Sequence, residues 1–347
     1  MKLIVTGGAG FIGSAFIRYM LARFSNCKVV NLDSLTYAGN LENLKSVQGN
    51  PNYSFVRGDI TNLGDVEAVL SGGADGLVNF AAESHVDRSI VDASQSVRTN
   101  VLGTQVLLEI SRQTKIKRFI QVSTDEVYGS LEKGRFTESS PLSPNSPYAA
   151  SKTAADMLVR AYHRTYGMDV ITTRCCNNYG PFQFPEKFVP LVIINAMEER
   201  SIPIYGDGFH TRDWIHVEDH CSAIAAILAE GVPGETYNIG ANQEEKNLDL
   251  AYSILRILER PSSLVEFVRD RPGHDRRYAV DATRLRCEVG WKPCIPLMEG
   301  LRDTVEWYAA NQSWVNDVKS GQYRGYYKKM YEEREETLDR LENRRSE

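Results

Sequence analysis

The sequence predicts an α/β protein built on a parallel, doubly wound β-sheet, with a smaller α/β region after it. Through the first half of the chain, short apolar runs alternate with segments of helical periodicity. A glycine-rich turn follows the first apolar run, and an aspartate ends the second. Strand–helix alternation is typical of a parallel sheet with helices on both faces, and such buried strands are nearly continuously apolar.

Six apolar runs are the predicted strands of this sheet, and residues that favour turns bound them. Between the runs, helical periodicity predicts helices at 11–24, 93–113 and 148–166. The predicted strands are KLIVTG (2–7), KVVNLD (28–33), YSFVRGD (53–59), GLVNFAA (76–82), RFIQVST (118–124) and DVITTRC (169–175).

The turn TGGAGFIG (6–13) has the features of a dinucleotide-binding loop. Gly7, Gly10 and Gly13 lie three residues apart, between a predicted strand and a predicted helix. Glycine lets the backbone approach a pyrophosphate, which the helix N-terminus then binds. Asp33, about 20 residues further on, ends the second strand, where a carboxylate binds two ribose hydroxyls and repels a 2′-phosphate. The sequence therefore predicts a Rossmann-type fold that binds NAD rather than NADP.

The domain organisation follows from a change in composition after residue 175. Glycine, proline and aromatic residues become frequent there, and long irregular stretches in a compact protein are usually functional. We predict an NAD-binding Rossmann domain at 1–175, open to later segments that return to it. A substrate-binding region at 176–330 is predicted to be interwoven with that domain, and 331–347 to form a charged tail.

The composition excludes several classes of protein. A content of 42% hydrophobic and 24% charged residues suits a soluble globular protein, and the net charge of −5 disfavours nucleic acid as a partner. No apolar stretch approaches the roughly 18 residues of a membrane span, and a predicted strand at residue 2 argues against a cleaved signal peptide. Six cysteines without a C-x-x-C pair indicate a reducing, cytoplasmic compartment. The adjacent Cys175 and Cys176 are interpreted as packing thiols rather than a redox pair.

The segment PYAASK (147–152) places Tyr148 and Lys152 on one face of a predicted helix. Free tyrosine has a pKa of about 10 and is a poor base at neutral pH. We expect the Lys152 ammonium, together with a positive nicotinamide ring, to lower the pKa of Tyr148. The phenolate can then accept a proton from a sugar hydroxyl while hydride leaves for NAD. An ordinary surface pair is the alternative.

Two adjacent acids, Asp125 and Glu126, follow the predicted strand 118–124 and its last residue, Thr124. A structural turn rarely needs both at the end of a buried strand. Two carboxyl groups whose environments separate their pKa values can act as a general acid and a general base. The alternative is an aspartate that caps the next turn beside a solvated glutamate.

These motifs resemble those of the extended short-chain dehydrogenase/reductases, and within them the nucleotide-sugar 4,6-dehydratases. The resemblance departs at Cys176, where serine is common, at Phe188, where leucine is common, and in a short stretch between Glu126 and Tyr148. It leaves open whether the nucleotide base is thymine or uracil, since one methyl is worth only about 1 kcal/mol. It extends to about residue 310 through TGGAGFIGS, LDSLTYAGN, NFAAESHVDRSI, STDEVYG, SPYAASK, NNYGPFQFPEK, PIYGDG…RDW and DRPGHDRRY.

The resemblance implies a nucleotide sugar that is oxidised at C4, loses water across C5 and C6 and is reduced at C6. Glu126 would be the base at C5 and Asp125 the acid at C6, while Thr124 and Tyr148 would meet the C4 oxygen. A sugar 4-epimerase needs the tyrosine and the cofactor but not the two acids, so the acids discriminate. Dehydration of a UDP-sugar, 4-epimerisation and a catalytically silent NAD-binding scaffold remain as alternatives.

Binding residues are also implied by the resemblance. Arg212 and Arg271 are the expected diphosphate partners, because guanidinium binds phosphate by a bidentate fork. Besides Asp33, the three glycines, Tyr148 and Lys152, the implied cofactor contacts are Phe11, Ile12, Ser34, Leu35, Thr36, Asp59, Ile60, Phe80, Ala81, Ala82, Glu83, Ser84, Thr99 and Asn178. The implied substrate contacts are Ser84, Thr124, Asn177, Lys187, Phe188, Pro203, Ile204, Tyr205, Arg212, Asn247, Asp270, Arg271, Pro272, Gly273 and His274.

A homodimer is implied as well, with helices 93–113 and 148–166 paired across a two-fold axis as a four-helix bundle. No metal is predicted: the histidines of HVEDH (216–220) have a metal-like spacing, but Glu218 is misplaced for a zinc motif. The arginines of RDRPGHDRR (269–277) are expected to bind a diphosphate rather than nucleic acid.

Overall fold

The computed structural model describes residues 1–319, 327, 328 and 339. The predicted tail at 331–347 lies outside this description, except for Asp339. Within the described residues, no helix combines the length and apolar character needed to cross a membrane. The strands are β1 Lys2–Thr6, β2 Lys28–Asp33, β3 Tyr53–Arg57, β4 Gly76–Asn79, β5 Phe119–Thr124, β6 Val170–Cys175, β7 Asn177–Tyr179, β8 Ile202–Tyr205, β9 Thr211–His216, β10 Thr236–Ile239, β11 Glu244–Lys246 and β12 Val265–Val268.

Seven strands form one parallel sheet, in the order β3–β2–β1–β4–β5–β6–β10. This is the Rossmann strand order with one strand added, and it confirms the predicted doubly wound fold. The added strand, β10, comes from the second half of the chain. Two predicted strands were too long: β3 ends at Arg57, so Asp59 follows the strand instead of ending it, and β4 ends at Asn79.

The second half of the chain adds two small sheets, β11–β9–β7 and β12–β8. Helices α7, α9 and α11 pack over them around a second hydrophobic core that includes Val192, Trp214, Ile254, Leu301 and Tyr308. The helices of the chain are α1 Phe11–Arg23, α2 Leu63–Leu70, α3 Val86–Val91, α4 Ser94–Ser96, α5 Thr104–Gln113, α6 Pro147–Tyr166, α7 Phe188–Met197, α8 Val217–Glu230, α9 Asn247–Ile257, α10 Thr283–Val289, α11 Leu297–Ala310 and α12 Gln312–Val318.

Helix α6 shows how local sequence sets the frame of the site. The Ser146 side chain accepts a hydrogen bond from the Ala149 N–H, and Pro147 occupies the first turn, where its missing N–H costs nothing. Gly167 ends the helix with a left-handed φ of 68°. These signals fix the start of the helix, and therefore the position of Tyr148 one residue after Pro147.

The predicted helix over 93–113 is not regular. A π-helical segment, Val97–Gly103, separates α4 from α5. In this segment, Asn100 exchanges hydrogen bonds of 2.9 and 3.0 Å with the backbone of Glu83 and donates to the Ser151 hydroxyl at 2.8 Å. The π-helical turn is thus held by side-chain contacts with residues distant in sequence, which hydrophobic periodicity cannot predict. Such turns are frequent at functional sites.

Candidate active site

A cavity of about 350 Å³ lies at the carboxyl ends of the central strands β1, β2, β4, β5 and β6. Open α/β sheets bind their ligands at this edge. The predicted site residues that line the cavity are Gly7, Gly10, Phe11, Ile12, Gly13, Asp33, Ser34, Thr36, Asp59, Ile60, Phe80, Ala81, Ala82, Glu83, Ser84, Thr99, Thr124, Asp125, Glu126, Tyr148, Lys152, Asn177, Asn178 and Lys187.

The glycine loop has the shape that a dinucleotide pyrophosphate requires. A Cβ on Gly7, which has a φ of +68°, would lie 2.5 Å from the Ala81 nitrogen. A Cβ on Gly13 would lie 2.3 Å from the Gly7 carbonyl oxygen, so the start of α1 packs directly on the loop. Gly10 caps α1 without a side-chain hydrogen bond and faces the cavity, which leaves the first helical N–H groups available to an anion.

Asp33 lies at the end of β2 and is held by two backbone N–H groups. Its carboxylate accepts hydrogen bonds from Ala9 and Leu35, both at 2.8 Å. Burial raises the pKa of Asp33, and the two N–H groups oppose that rise. Each carboxylate oxygen keeps further acceptor capacity, so Asp33 still fits the two ribose hydroxyls. Leu35 does not line the cavity; it contributes its N–H to this carboxylate.

Thr124 ends β5, and Asp125 and Glu126 begin the 3₁₀ turn that follows it. The Thr124 hydroxyl oxygen accepts from the Glu126 N–H at 3.3 Å and lies 3.4 Å from Asp125 Oδ1, to which it donates. The alternative in which Asp125 caps this turn is therefore wrong, because Thr124 is the cap. Asp125 is only 2% exposed, and Glu126 is half-buried in the same cavity.

The environments of the two acids differ. Burial, and then the neighbouring Glu126 charge, raise the pKa of Asp125 well above its usual range. Burial also raises the pKa of Glu126, but the positive charges of Arg271, Lys187 and Arg212 oppose this. Asp125 is therefore suited to hold a proton, while Glu126 is suited to lose one.

The expectation for Tyr148 is corrected in one respect. Burial, and then the charge of Glu126, raise the pKa of Tyr148 well above its ordinary value of 10, although a Thr124 hydrogen bond opposes this. Lys152, whose pKa burial lowers, donates to the Val122 carbonyl oxygen at 2.7 Å. The protein groups by themselves thus favour the protonated form of Tyr148, first because its hydroxyl is buried and then because the Glu126 charge is nearby.

Twelve predicted residues do not line this cavity. Lys187, which directly precedes Phe188, does line the cavity and donates to the Ser84 carbonyl oxygen at 2.7 Å. Phe188 packs towards Trp214 with ring centroids 6.3 Å apart, and Pro203 and Ile204 are buried in β8. The residues outside the lining are Leu35, Phe188, Pro203, Ile204, Tyr205, Arg212, Asn247, Asp270, Arg271, Pro272, Gly273 and His274.

The two predicted diphosphate partners are held differently. Arg212 is buried, donates to the carbonyl oxygens of Thr211, Asp275 and Arg276, and stacks over a tyrosine ring. Arg271 instead forms an ion pair of 2.9 Å with Asp87. The charges of both arginines act on Glu126, so both guanidinium groups lie near the acid pair.

Within the described part of the chain, one cluster has the composition of a metal site: His210, Asp270 and His274. The imidazole rings are stacked with centroids 3.7 Å apart and planes 13° apart, and both histidines hydrogen-bond to Asp270. Each histidine already has Asp270 as a hydrogen-bond partner, and Arg271 adds positive charge beside His274. We therefore assign this cluster as a hydrogen-bonded stack.

The histidines of HVEDH also have ordinary partners. His216 accepts the Glu218 N–H as the cap of α8, and His220 Nδ1 lies 2.8 Å from the side-chain oxygen of Asn178. Helix α8 begins at Val217, next to this cap. The arginines of the basic cluster are all paired with acids: Arg269 with Asp339, Arg271 with Asp87, Arg276 with Asp207 and Arg277 with Glu244.

Sequence reasoning missed several residues of the site. Gln95, Arg98, Phe184 and Glu186 line the cavity, together with both adjacent cysteines. Glu186 is 4% exposed and pairs with Arg88 at 3.0 Å. Its position beside Lys187 in NNYGPFQFPEK was the available signal. Cys175 and Cys176 are buried in the main core, and all six cysteines are free thiols, which agrees with a packing role.

The fold and the site together define a class of protein: an NAD-dependent short-chain dehydrogenase/reductase of the extended type. A family model described as GDP-mannose 4,6 dehydratase matches residues 4–304. A dTDP-glucose 4,6-dehydratase from Xanthomonas campestris is 50% identical over 341 residues, covering 92% of this chain and 97% of the relative.

Solved structures agree with these relatives. A dTDP-glucose 4,6-dehydratase from Streptomyces venezuelae, solved with NAD bound, has a TM-score of 0.90 and 50% identity, covering 92% of this chain and 100% of its own. A dTDP-glucose 4,6-dehydratase from Bacillus anthracis in complex with NAD has a TM-score of 0.86 and 48% identity, with the same coverage. The chain belongs to the dTDP-glucose 4,6-dehydratase family.

Proposed function

We propose that the chain is a hydro-lyase that converts dTDP-glucose into dTDP-4-keto-6-deoxyglucose with NAD as its cofactor. The observation that carries this proposal is the pair Asp125 and Glu126, in one cavity with Thr124, Tyr148 and Lys152. Bound in this cavity, NAD would supply the hydride acceptor for oxidation at C4 and, once reduced, the hydride donor for C6. Family membership favours thymine over uracil as the base.

The glycine loop and Asp33 are proposed to bind the pyrophosphate and the adenine ribose of NAD, respectively. The uncapped N-terminus of α1 would hold the pyrophosphate. The Asp33 carboxylate would accept hydrogen bonds from the hydroxyls of the adenine ribose. Phe80 to Ser84, with Thr99, would line the nicotinamide side of the same cavity. This assignment is supported by the tight packing of Gly7 and Gly13, which leaves no room for larger side chains.

Tyr148 is the proposed base for the C4 hydroxyl. Its side chain lines the cavity together with Thr124, and the two hydroxyl oxygens would hold the C4 oxygen of the sugar. Because the protein groups raise the pKa of Tyr148, proton loss from it must be assisted by the positive charge of the bound cofactor and by Lys152, which is four residues away on α6.

Glu126 and Asp125 then carry out the two proton transfers of the elimination. Once C4 is a ketone, the C5 proton is acidic and the C6 hydroxyl is a β leaving group. Glu126 would remove the C5 proton, and Asp125, whose raised pKa keeps its proton, would protonate the departing hydroxyl. The products are water and a sugar with an unsaturated C5–C6 bond, ready for reduction at C6.

The nucleotide diphosphate is assigned to the residues beside the cavity. Arg212 and Arg271 would pair with its phosphates, while Tyr205 and His274 would face the nucleoside. The edge-to-face contact of Tyr205 and His274, with centroids 6.1 Å apart, supports a shared aromatic wall. Lys187 and Asn177, at the cavity, would bridge to the sugar.

Turnover of dTDP-glucose tests the proposal. The purified chain should release a 4-keto sugar, detected by its absorbance in alkali, without net consumption of NAD. A protein that is folded and loaded with NAD but gives no such absorbance would reject the activity. A product that retains the C6 oxygen would identify a 4-epimerase, and faster turnover of UDP-glucose would identify the UDP-sugar enzyme.

We further propose a homodimer in the reducing cytoplasm. The free thiols support the compartment. The dimer is supported by large apolar side chains that are exposed on the two predicted bundle helices: Val97 is 53% exposed, Leu102 46% and Met157 42%. Pairing of these faces across a two-fold axis would cover all three.

A further inference from the structure

Asp87 connects the two halves of the molecule. It lies in α3, in the first half of the chain, and its side chain is only 4% exposed. Oδ1 accepts from Arg271 Nη1 at 2.9 Å, and Oδ2 accepts from the Tyr205 hydroxyl at 3.0 Å. These partners are 184 and 118 residues away in the chain, in the loop after β12 and on β8.

Both partners of Asp87 belong to the set assigned to the nucleotide diphosphate. Burial lowers the pKa of Arg271, but the charge and hydrogen bond of Asp87, together with the Glu126 charge, outweigh this, so the pKa is raised. Hydrogen bonds to a charged group are stronger than those between neutral groups, and a guanidinium donates in fixed directions. Without Asp87, the Arg271 fork would lack the bond that fixes its direction.

The same short helix contacts the catalytic tyrosine. The Ser89 hydroxyl, two residues after Asp87, accepts a hydrogen bond from the Tyr148 N–H at 3.1 Å. Arg88 of this helix pairs with Glu186, next to Lys187. Helix α3 therefore contacts the start of α6 through Ser89, and it contacts β8 and the loop after β12 through Asp87.

We propose that Asp87 is a positioning residue: it aims Arg271 and Tyr205 at the nucleotide diphosphate from the helix that also braces Tyr148. Asp87 does not itself touch substrate. By holding both groups from one helix, it fixes where the nucleotide diphosphate is anchored. The identity of the nucleotide rests on the proposed function, whereas the positioning role rests on the contacts of Asp87.

The test compares wild type with Asp87→Asn, which keeps the size of the side chain and removes its charge. We expect the KM for dTDP-glucose and the dissociation constant of dTDP to rise about tenfold, as loss of one charge-assisted bond predicts. The kcat should fall less than about threefold, because the groups at C4, C5 and C6 are untouched. NAD content and melting temperature serve as the readouts of folding.

Asp169→Asn is the matched control. Asp169 binds Arg118 through both carboxylate oxygens at 3.0–3.1 Å, at the amino edge of β5 and β6, away from the cavity. Loss of the Asp169 charge should leave the KM for dTDP-glucose and the affinity for dTDP unchanged. Tyr205→Phe keeps the ion pair and removes one hydrogen bond, so a smaller KM increase of about threefold is expected, and it provides the test if Asp87→Asn does not fold.

The outcomes are distinct. An unchanged KM and dTDP affinity in Asp87→Asn would overturn the positioning role, as would a loss of stability and kcat with the KM unchanged. Binding of dTDP is measured without turnover, so it decides this inference even if the wild-type chain turns over another sugar. A wild-type chain that binds UDP but no dTDP would reject the proposed substrate alone, and the comparison with Asp87→Asn would then be made with UDP; a chain that binds neither would reject both this inference and the proposed function.

Discussion

At the scale of single residues, the chemistry depends on two neighbouring carboxyl groups with different surroundings. Asp125 is buried and one of its oxygens, Oδ2, has no hydrogen-bond partner in the described structure. Glu126, one residue later, faces the charges of Lys187 and two arginines. The sequence predicted the pair and its place at the end of β5. It did not reveal the nearby charges, because they come from residues far away in the chain.

Replacing Glu126 with Gln should stop the elimination and spare the first step. The amide keeps the shape but cannot take the C5 proton, so we expect kcat to fall about 100-fold or more. Oxidation at C4 should continue, because Tyr148 and Lys152 are intact, and the absorbance of reduced nicotinamide should accumulate after dTDP-glucose is added. Glu42→Gln, at an exposed glutamate, is the control. An equal loss of both steps would show that Glu126 is not the C5 base.

Replacing Asp125 with Asn should remove the proton donor for the C6 hydroxyl. We again expect a fall in kcat of about 100-fold. A C6-fluoro analogue of the substrate, whose leaving group needs no proton, should restore elimination as measured by fluoride release. If the fluoro analogue is no better a substrate for the variant than dTDP-glucose, Asp125 has another role.

The pH dependence of kcat follows from the raised pKa values. Glu126 must be ionised, so activity is lost as the pH falls through its pKa; Asp125 must be protonated, so activity is lost as the pH rises through its pKa. The profile should be bell-shaped, with an alkaline limb that disappears in Asp125→Asn. An alkaline limb that is unchanged in this variant would assign it to a different group.

At the scale of elements, the helices and strands of the sheet were largely predictable, and the irregular segments were not. The apolar runs identified β1, β2, β4, β5 and β6 because buried parallel strands have little choice of residue, and the edge strand β3, which has no buried residue, was found from its β-branched and aromatic residues. The π-helical turn Val97–Gly103 was missed because the hydrogen bonds of Asn100 that hold it reach Glu83 and Ser151. The bridging role of α3 was missed for the same reason, since its partners lie on other elements.

The join between the glycine loop and α1 can be tested by Gly13→Ala. The added Cβ would lie 2.3 Å from the Gly7 carbonyl oxygen and 2.9 Å from the Gly8 Cα, both backbone atoms that must move. Overpacking of this kind costs about 1–3 kcal/mol, so melting temperature and NAD content should both fall. Gly49→Ala, where no atom lies within 4 Å, should change neither. Unchanged NAD content in Gly13→Ala would contradict the assignment of this loop.

At the scale of the whole molecule, the site is built from both halves of the chain. The main hydrophobic core takes in residues from both sides of the predicted boundary at 175, among them Ile215, Ile224 and Leu285. Strand β10 also returns to the first sheet, and Asp87 connects to the second half. The residues assigned to NAD come from the ordered turns of the first sheet. The residues assigned to the nucleotide lie on β8 and β9 and in the loop after β12. Their positions depend on distant contacts, so they were predicted only through family resemblance.

The proposed dimer makes a prediction at this scale. Light scattering should give twice the chain mass of 39.0 kDa at working concentration. Met157→Glu places a charge on the proposed bundle face, where its burial is costly, and should produce monomers. Phe267→Glu, at a 54% exposed residue on β12, should leave the dimer intact. A monomeric wild-type chain would contradict the bundle.

The most direct measurement of the central claim follows one hydrogen atom. The chain is incubated with dTDP-glucose that carries deuterium at C4, and the product is examined by NMR. The account predicts deuterium at C6 of a 4-keto-6-deoxy sugar, with solvent hydrogen at C5. A product with deuterium still at C4, or with oxygen still at C6, would contradict it.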